Sequence, residues 1–308
     1  MKILVTGALG HIGSQLVREL PSHFDDLEVV MVDNMSTQRY CSLFNLPTTA
    51  TYSFVETSID DSDLDSLLED VEAVVHLAAL TDAAGTADKP ELVHQNNFES
   101  TKKLADACLK HGVSLVFPSS TSVYGSQAEV VDEECGELSP QSPYADCKIK
   151  EEAYLRECFT KGLQGIICRL GTIYGTSSGM RFHTAVNKFC WQAVMNQPLS
   201  VWETALHQKR PYLALRDCCE AIIWIIKKEL YGAGVYNIVS NNLTVQNVID
   251  EIKTHKPSLN INLVQHKIMN QLSYEVSSDK FEETGFEFGG SLHNSIFETI
   301  TLFNKINT

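Results

Sequence analysis

The sequence has no long hydrophobic run, no paired-cysteine metal motif and no excess of positive charge. The longest apolar stretch, Ala221 to Ile226, is far shorter than the roughly 20 residues that cross a bilayer, so we expect no membrane partner. No Cys-x-x-Cys occurs, and adjacent Cys218 and Cys219 do not fit a metal-ligand spacing, so no metal is expected. The formal net charge is −15, which argues against nucleic acid as a main partner because phosphate binding requires a basic surface.

The remaining composition is that of a globular protein. A chain of 308 residues with 44% hydrophobic content can bury one large domain and a smaller lobe. Its nine cysteines stand mostly in apolar stretches, which is typical of small buried side chains and favours a reducing, cytoplasmic location. The apolar run Lys2 to Val5 is too short for a signal peptide, so we expect none.

Three glycines follow the first predicted strand. Lys2 to Val5 leads into Thr-Gly-Ala-Leu-Gly-His-Ile-Gly and then into a helical pattern. In a dinucleotide site, Gly7 would allow the tight turn, Gly10 the approach of the pyrophosphate, and Gly13 the close packing of helix and strand. The pyrophosphate would then lie at the helix N-terminus. A purely structural turn is the alternative.

An acidic residue ends the second predicted strand. Asp33 lies about twenty residues past the glycines, the spacing that suits a ribose diol. Its charge would repel a 2′-phosphate, which favours NAD over NADP, although Arg39 stands nearby in the sequence. A solvated strand-end acid is the alternative. Ile59 and Asp60, after the third predicted strand, suit either an adenine contact or an ordinary turn.

The fourth and fifth predicted strands also end in distinctive residues. Ala73 to His76 runs into the small residues Ala78 and Ala79, which would let a cofactor lie against the backbone, whereas His76 alone is more typical of a core histidine. Ser114 to Pro118 is followed by a hydroxyl-rich stretch. Hydroxyls at the C-terminal end of a parallel strand face the ligand crevice, although they also occur in plain turns.

Tyr144 and Lys148 lie four residues apart in a predicted helix, so both side chains share one face. An ammonium beside a phenol favours the phenolate, and we therefore expect the pKa of Tyr144 to fall. Such a tyrosine can remove a proton from a sugar or alcohol hydroxyl near neutral pH. The same pair also occurs on ordinary helix surfaces, so the upstream motifs carry the interpretation.

Taken in order, these motifs resemble those of the extended short-chain dehydrogenase/reductase superfamily, in its NAD-dependent sugar-nucleotide epimerase/dehydratase branch. The resemblance extends from residue 1 to about residue 250 and is strongest through Lys148. It rests on the glycine turn at 6–13, Asp33, His-Leu-Ala-Ala at 76–79, Asn96, Ser-Ser-x-x-Val-Tyr-Gly at 119–125 and Tyr-x-x-x-Lys at 144–148.

The resemblance implies a role for each matching residue. Tyr144 would be the catalytic acid/base, Lys148 its activating partner and Ser120 the hydroxyl that orients the substrate. The substrate would also meet Thr121, Ser122, Thr172 and Arg210. The implied NAD site is formed by Gly7, Gly10, His11, Ile12, Gly13, Asp33, Asn34, Ile59, Asp60, Leu77, Ala78, Ala79, Asn96, Tyr144 and Lys148.

The same comparison favours one reaction within the branch. Dehydratases of this type carry an Asp-Glu pair before Val-Tyr-Gly, and decarboxylases a Glu; this chain has Thr121 and Ser122 there. The resemblance therefore implies a 4-epimerase of a nucleotide sugar, with a UDP-sugar favoured, that acts as a homodimer. A keto-sugar or carbonyl reductase, and a non-catalytic dinucleotide-binding protein, remain as alternatives.

The predicted fold class is α/β, with a doubly wound parallel sheet and a smaller C-terminal lobe. We expect residues 1–174 to form the NAD-binding domain, with 210–230 returning to it, and residues 175–308 to form the substrate-binding lobe. The active site is expected in the cleft between them.

Overall fold

The computed structural model describes residues 1–82, 85–264 and 273–304. Its strands are β1 (Lys2–Thr6), β2 (Glu28–Asp33), β3 (Thr51–Glu56), β4 (Ala73–His76), β5 (Ser114–Ser120), β6 (Val130–Val131), β7 (Gly165–Leu170), β8 (Thr172–Tyr174), β9 (Leu199–Trp202), β10 (Lys209–Ala214), β11 (Gly232–Ile238), β12 (Asn241–Thr244), β13 (Ile261–Val264) and β14 (Glu275–Val276). Its α-helices are α1 (His11–Glu19), α2 (Leu64–Leu67), α3 (Pro90–Val93), α4 (Ser100–His111), α5 (Pro143–Thr160), α6 (Ala185–Val194), α7 (Leu215–Lys227), α8 (Val245–His255), α9 (Asp279–Glu282) and α10 (Leu292–Asn304).

Seven parallel strands form the large sheet, in the order β11-β7-β5-β4-β1-β2-β3. Alternate residues of β1 enter different cores: Ile3 and Val5 pack with α1 and α7, and Leu4 packs with α4 and α5. A strand buried on both faces needs apolar residues at successive positions, which explains the uninterrupted run at the start of the chain. The predicted doubly wound parallel sheet is confirmed.

The smaller lobe contains a three-stranded sheet, β12-β10-β8, and the parallel pair β13-β9. Helices α6, α8 and α10 share a separate hydrophobic core with these strands. The chain returns to the large lobe twice over, because α7 packs against α1 and β11 pairs with β7. These two elements are α7 (Leu215–Lys227) and β11 (Gly232–Ile238). None of the helices in the described ranges is long and apolar enough to span a bilayer.

Helix α5 is fastened to the sheet by a buried ion pair. Arg169 on β7 donates from Nε and Nη2 to the two carboxylate oxygens of Glu152, at 3.0 and 2.8 Å. Ser119, at the end of β5, donates to the same carboxylate at 2.6 Å. A paired, hydrogen-bonded charge is the form in which ions are tolerated in a core. The pair holds the middle of α5 against the C-terminal ends of β5 and β7.

The helical segment at 90–111 is interrupted near its N-terminal end. A π-helical stretch, His94–Glu99, separates α3 from α4. Within it, the buried Asn97 side chain accepts from Leu80 N–H at 2.8 Å and donates to Leu80 C=O at 3.0 Å. The side-chain amide thereby makes the two hydrogen bonds that a neighbouring strand would make with the backbone of Leu80, just after β4. Wide helical turns of this kind often occur beside functional sites.

Candidate active site

A cavity of about 790 Å³ opens at the C-terminal edge of the large sheet, between the two lobes. That size is typical of small-molecule sites, and this edge is where open parallel sheets bind ligands. All fifteen residues predicted for the cofactor contribute to its wall: Gly7, Gly10, His11, Ile12, Gly13, Asp33, Asn34, Ile59, Asp60, Leu77, Ala78, Ala79, Asn96, Tyr144 and Lys148.

The glycine turn lies in direct contact with its neighbours. Gly7 has φ +63°, and a Cβ there would lie 2.7 Å from Leu77 C and Ala78 N. A Cβ at Gly13 would overlap the carbonyl oxygen of Gly7. Because these glycines have no side chains, the N-terminal N–H groups of α1 can approach a ligand in the cavity. This cradle fits the pyrophosphate of a dinucleotide.

Asp33 stands beside the turn and organises it. Its Oδ2 accepts from Leu9 N–H at 3.1 Å and its Oδ1 from Met35 N–H at 2.9 Å. A carboxylate oxygen has two acceptor sites, so each retains one for a ribose hydroxyl. Arg39 also lines the cavity and interacts electrostatically with Asp33. The remaining acceptor sites of Asp33 therefore fit the ribose hydroxyls in the adenosine half of NAD.

A short segment of the smaller lobe lies across the glycine turn. We name Gly175–Arg181 the strap. Gly179 N–H donates to Ser14 Oγ at 2.9 Å, and Ser177 hydrogen-bonds to His11 Nδ1 at 2.7 Å. Asn187 on α6 holds both ends of the strap, accepting from Gly175 N–H and donating to Arg181 C=O. The strap covers the place where the pyrophosphate would lie.

The predicted catalytic residues meet in one wall of the cavity. Ser142 caps α5 by accepting from Ala145 N–H at 3.1 Å, which starts the helix immediately before Tyr144. Ser120, at the end of β5, hydrogen-bonds to the Tyr144 hydroxyl. The Lys148 ammonium lies 5.9 Å from the centroid of the Tyr144 ring. The three groups can hold a substrate hydroxyl and accept its proton.

The expected fall in the pKa of Tyr144 is wrong for this structure. Burial raises the pKa of Tyr144 above its ordinary value and outweighs the attraction of Lys148. The nearby carboxylate of Glu151 raises it further. Desolvation and the second charge, which the Tyr-x-x-x-Lys spacing does not reveal, therefore act against the ammonium.

Two of the predicted substrate contacts point elsewhere. Thr121 is buried, donates to Leu170 C=O at 3.2 Å and shares a hydrogen bond with Tyr274, and it does not line the cavity. Ser122 donates to Ser120 Oγ at 2.9 Å and supports that residue from behind. The 3₁₀ turn Thr121–Tyr124 rotates both side chains away from the crevice as soon as β5 ends. Thr172 and Arg210 do line the cavity.

Some lining residues were not predicted. Arg181 ends the strap and His183 follows it, and Trp202, with 40% of its surface exposed, ends β9. In the sequence, these residues are marked only by being basic or aromatic and by standing after a glycine-rich loop or at the end of a strand. Asn97 was also missed: Asn96 lines the cavity, while its neighbour fixes the backbone at Leu80.

The parallel sheet, the glycine cradle and the wall of Ser120, Tyr144 and Lys148 together fit a dinucleotide-binding enzyme. A model of the NAD dependent epimerase/dehydratase family matches residues 3–239, well over half of the chain. The chain belongs to this NAD dependent epimerase/dehydratase family.

Similar proteins agree with this assignment. An uncharacterized UDP-glucose epimerase of Bacillus subtilis is 30% identical over 277 residues, which cover 84% of this chain and 84% of that protein. The structure of UDP-glucuronic acid 4-epimerase from Bacillus cereus, with UDP-4-deoxy-4-fluoro-glucuronic acid and NAD, has a TM-score of 0.91 at 24% identity over 100% of both chains. UDP-glucose 4-epimerase from Thermotoga maritima, with UDP-glucose, has a TM-score of 0.87 at 24% identity over 100% of both chains.

Proposed function

We propose that this protein is a UDP-sugar 4-epimerase that uses NAD as a bound cofactor. The observation that carries the proposal is the wall formed by Ser120, Tyr144 and Lys148 beside a dinucleotide cradle, with no carboxylate at positions 121 and 122 to assist an elimination. The names of the similar proteins support the nucleotide and the position of reaction.

The glycine turn and Asp33 would hold NAD, which would supply a hydride acceptor for carbon 4 of the sugar and a hydride donor for the return to the opposite face. Tyr144 takes the proton of the 4-hydroxyl and later gives it back, and Ser120 holds that hydroxyl in line with the phenol. The fixed positive charge of Lys148 stabilises the phenolate while it exists.

The far end of the cavity provides a site for the nucleotide. Arg210 lines it on β10 and can grip a diphosphate with a guanidinium fork. The indole of Trp202 offers a flat surface on which a base can stack. The sugar would then extend past Thr172 toward Tyr144.

We further propose that the enzyme is a cytoplasmic homodimer. All nine cysteine side chains are free thiols, which supports a reducing compartment. The apolar residues on the outer side of α3–α5 support the dimer.

The deciding experiment compares Tyr144→Phe with wild type on UDP-glucose, UDP-glucuronic acid and UDP-N-acetylglucosamine. Conversion to the 4-epimer without net change in NADH absorbance is expected in wild type, and the variant should turn over roughly 10²–10⁴-fold more slowly. Tyr154→Phe, which removes a hydroxyl bonded to Asp106 on the outside of the same helix, is the matched control.

Two results would contradict the proposal. Near-normal turnover in Tyr144→Phe would show that another group moves the proton. Stoichiometric loss of NADH absorbance with a keto-sugar nucleotide, and no epimer formed from any of the three sugars, would instead identify a reductase.

A further inference from the structure

The ammonium of Lys148 is buried between an aromatic ring and a carboxylate. Its Nζ lies 4.4 Å from the centroid of Phe117 and 3.2 Å from Glu151 Oε2. The two charged side chains are only 3% and 1% exposed. A buried ion costs free energy unless an opposite charge lies close to it, so Glu151 is the counter-ion of Lys148.

Glu151 is itself held by a chain of hydrogen bonds. Its Oε1 accepts from the Thr101 hydroxyl at 2.7 Å. The Thr101 oxygen lies 3.2 Å from His76 Nε2, and His76 Nδ1 lies 2.7 Å from the Thr6 hydroxyl. That hydroxyl accepts from Ala78 N–H at 3.1 Å. These hydrogen bonds connect the backbone of Ala78, in the cavity wall, with Glu151 and through it with the Lys148 ammonium.

The carboxylate fixes the direction of the two hydrogen bonds that Thr101 makes. Because a carboxylate only accepts, Thr101 must donate to it and must accept from His76 Nε2–H. His76 therefore carries a proton on Nε2, and in the neutral ring Nδ1 accepts from the Thr6 hydroxyl. Burial, and to a smaller extent Lys148, lower the pKa of His76 to about 3, in agreement with this tautomer.

The other titratable groups that face Tyr144 and Lys148 come from three elements: Cys147 on α5, His76 on β4 and Arg181 in the strap. Burial raises the pKa of Cys147 to about 12, so this thiol, like His76, is uncharged near neutral pH. The charges left around the pair are Glu151 and Arg181. Of these, only Glu151 is ion-paired with Lys148.

We propose that Glu151 is a positioning residue that sets the pH range in which the Tyr144–Lys148 pair works. The proposal rests on the proposed function, in which Tyr144 moves the proton. Neither the glycine turn nor the Tyr-x-x-x-Lys spacing requires an acid at this position; it follows from the ion pair and the hydrogen-bond chain.

The direction of the effect follows from electrostatics. An anion raises the pKa of every proton-binding group beside it. Glu151 therefore raises the pKa of Lys148, against the opposing effect of burial, and also that of Tyr144. Removing its charge lowers both values. The acid limb of activity follows ionisation of Tyr144 and the alkaline limb follows loss of the Lys148 proton, so both limbs move to lower pH.

The test is the pH profile of kcat for wild type, Glu151→Gln and Glu157→Gln. We expect both limbs of the Glu151→Gln profile to move to lower pH by roughly one unit or more. Glu157 is exposed on the same helix, so Glu157→Gln makes the same change of charge away from the pair and should leave the profile unchanged.

A second readout does not depend on turnover. NMR of protein labelled at the tyrosine ζ carbon, with the Tyr144 signal assigned from Tyr144→Phe, should show a lower titration midpoint for Tyr144 in Glu151→Gln than in wild type. If wild type converts no sugar, the proposed function fails, while this titration still decides the role of Glu151.

Profiles and midpoints that superimpose on wild type would overturn the proposal, even if kcat falls at every pH. If Glu151→Gln does not fold, Glu151→Met removes the same charge with an apolar side chain of similar volume and should give the same shift. Failure of both variants to fold would show that Glu151 is needed only for the core, and would also overturn the proposal.

Discussion

Two buried histidines show how single residues tie this site to pH. Burial, followed by Lys148, lowers the pKa of His76 to about 3, and burial, followed by Arg181 and Arg39, lowers that of His11 to about 3. Both rings are hydrogen-bonded as neutral groups, to Thr6 and to Ser177 respectively. Burial and the nearby cations therefore disfavour protonation of both rings.

Acid should therefore destabilise the fold. Below a pH of about 6.5 the unfolded chain binds a proton at each histidine, whereas the folded chain does not until about pH 3. Each histidine then lowers the free energy of unfolding by about 1.4 kcal/mol per pH unit in that window. Above about pH 6.5, the contribution of each histidine to the free energy of unfolding no longer changes with pH. Urea unfolding at several pH values measures the slope.

The His76→Gln variant tests this at one residue. Its free energy of unfolding should depend on pH less steeply than that of wild type, by about 1.4 kcal/mol per unit, because one of the protons is gone. His207 is exposed, so His207→Gln should leave the slope as it is. Equal slopes for wild type and His76→Gln would contradict the account.

At the scale of elements, the strap packs so closely on the glycine turn that Gly179 has no room for a side chain. A Cβ at Gly179 would overlap the carbonyl oxygens of Leu9 and Gly10. We expect Gly179→Ala to lift the strap from the glycine turn, with loss of the bond to Ser14. One lost hydrogen bond of about 1.4 kcal/mol corresponds to roughly tenfold weaker NAD binding.

Calorimetric titration of NAD into protein freed of bound nucleotide measures this effect. Gly136→Ala is the matched control, because a Cβ there would meet nothing within 4 Å. An unchanged Kd for Gly179→Ala would show that the strap does not hold the cofactor. A similar loss in both variants would show only general destabilisation.

The elements differ in how far the sequence could predict them. The strand at Lys2, the glycine turn and the helix after it are consecutive, and each depends on its own residues. The strap depends on a bond between Ser14 and Gly179, which are 165 positions apart. The inward rotation of Thr121 depends on Leu170 and Tyr274. Only the folded chain brings such partners together, so local patterns do not predict them.

The site shows the same limit. The Tyr-x-x-x-Lys spacing placed Tyr144 and Lys148 correctly on one wall, because a helix repeats locally. The balance of charges around them was predicted wrongly, because desolvation depends on the whole surroundings.

At the scale of the molecule, apolar and aromatic side chains lie at the surface formed by α3, the π-helical stretch and the outer side of α5. Leu92 on α3 is 52% exposed. Close by, the half-buried ring of Phe98 packs edge-on against Tyr154 of α5, with centroids 6.1 Å apart. Lys102 covers the Tyr154 ring, with its Nζ 5.8 Å from the centroid. A face of this kind on two antiparallel copies can bury itself in a two-fold dimer.

Light scattering on the purified protein should therefore give a molar mass twice the 34.3 kDa of one chain. Leu92→Glu would place a charge in that contact and should shift the protein toward monomer at a given concentration. Leu302→Glu is the matched control, since Leu302 is 51% exposed on α10 in the other lobe. A monomer in wild type, or an equal shift in both variants, would contradict the dimer.

Helix α5 carries Tyr144 and Lys148 on its inner side. A dimer that covers the outer side of α5 would therefore also hold the wall formed by Tyr144 and Lys148 in place. Dilution to monomer should then lower activity together with molar mass.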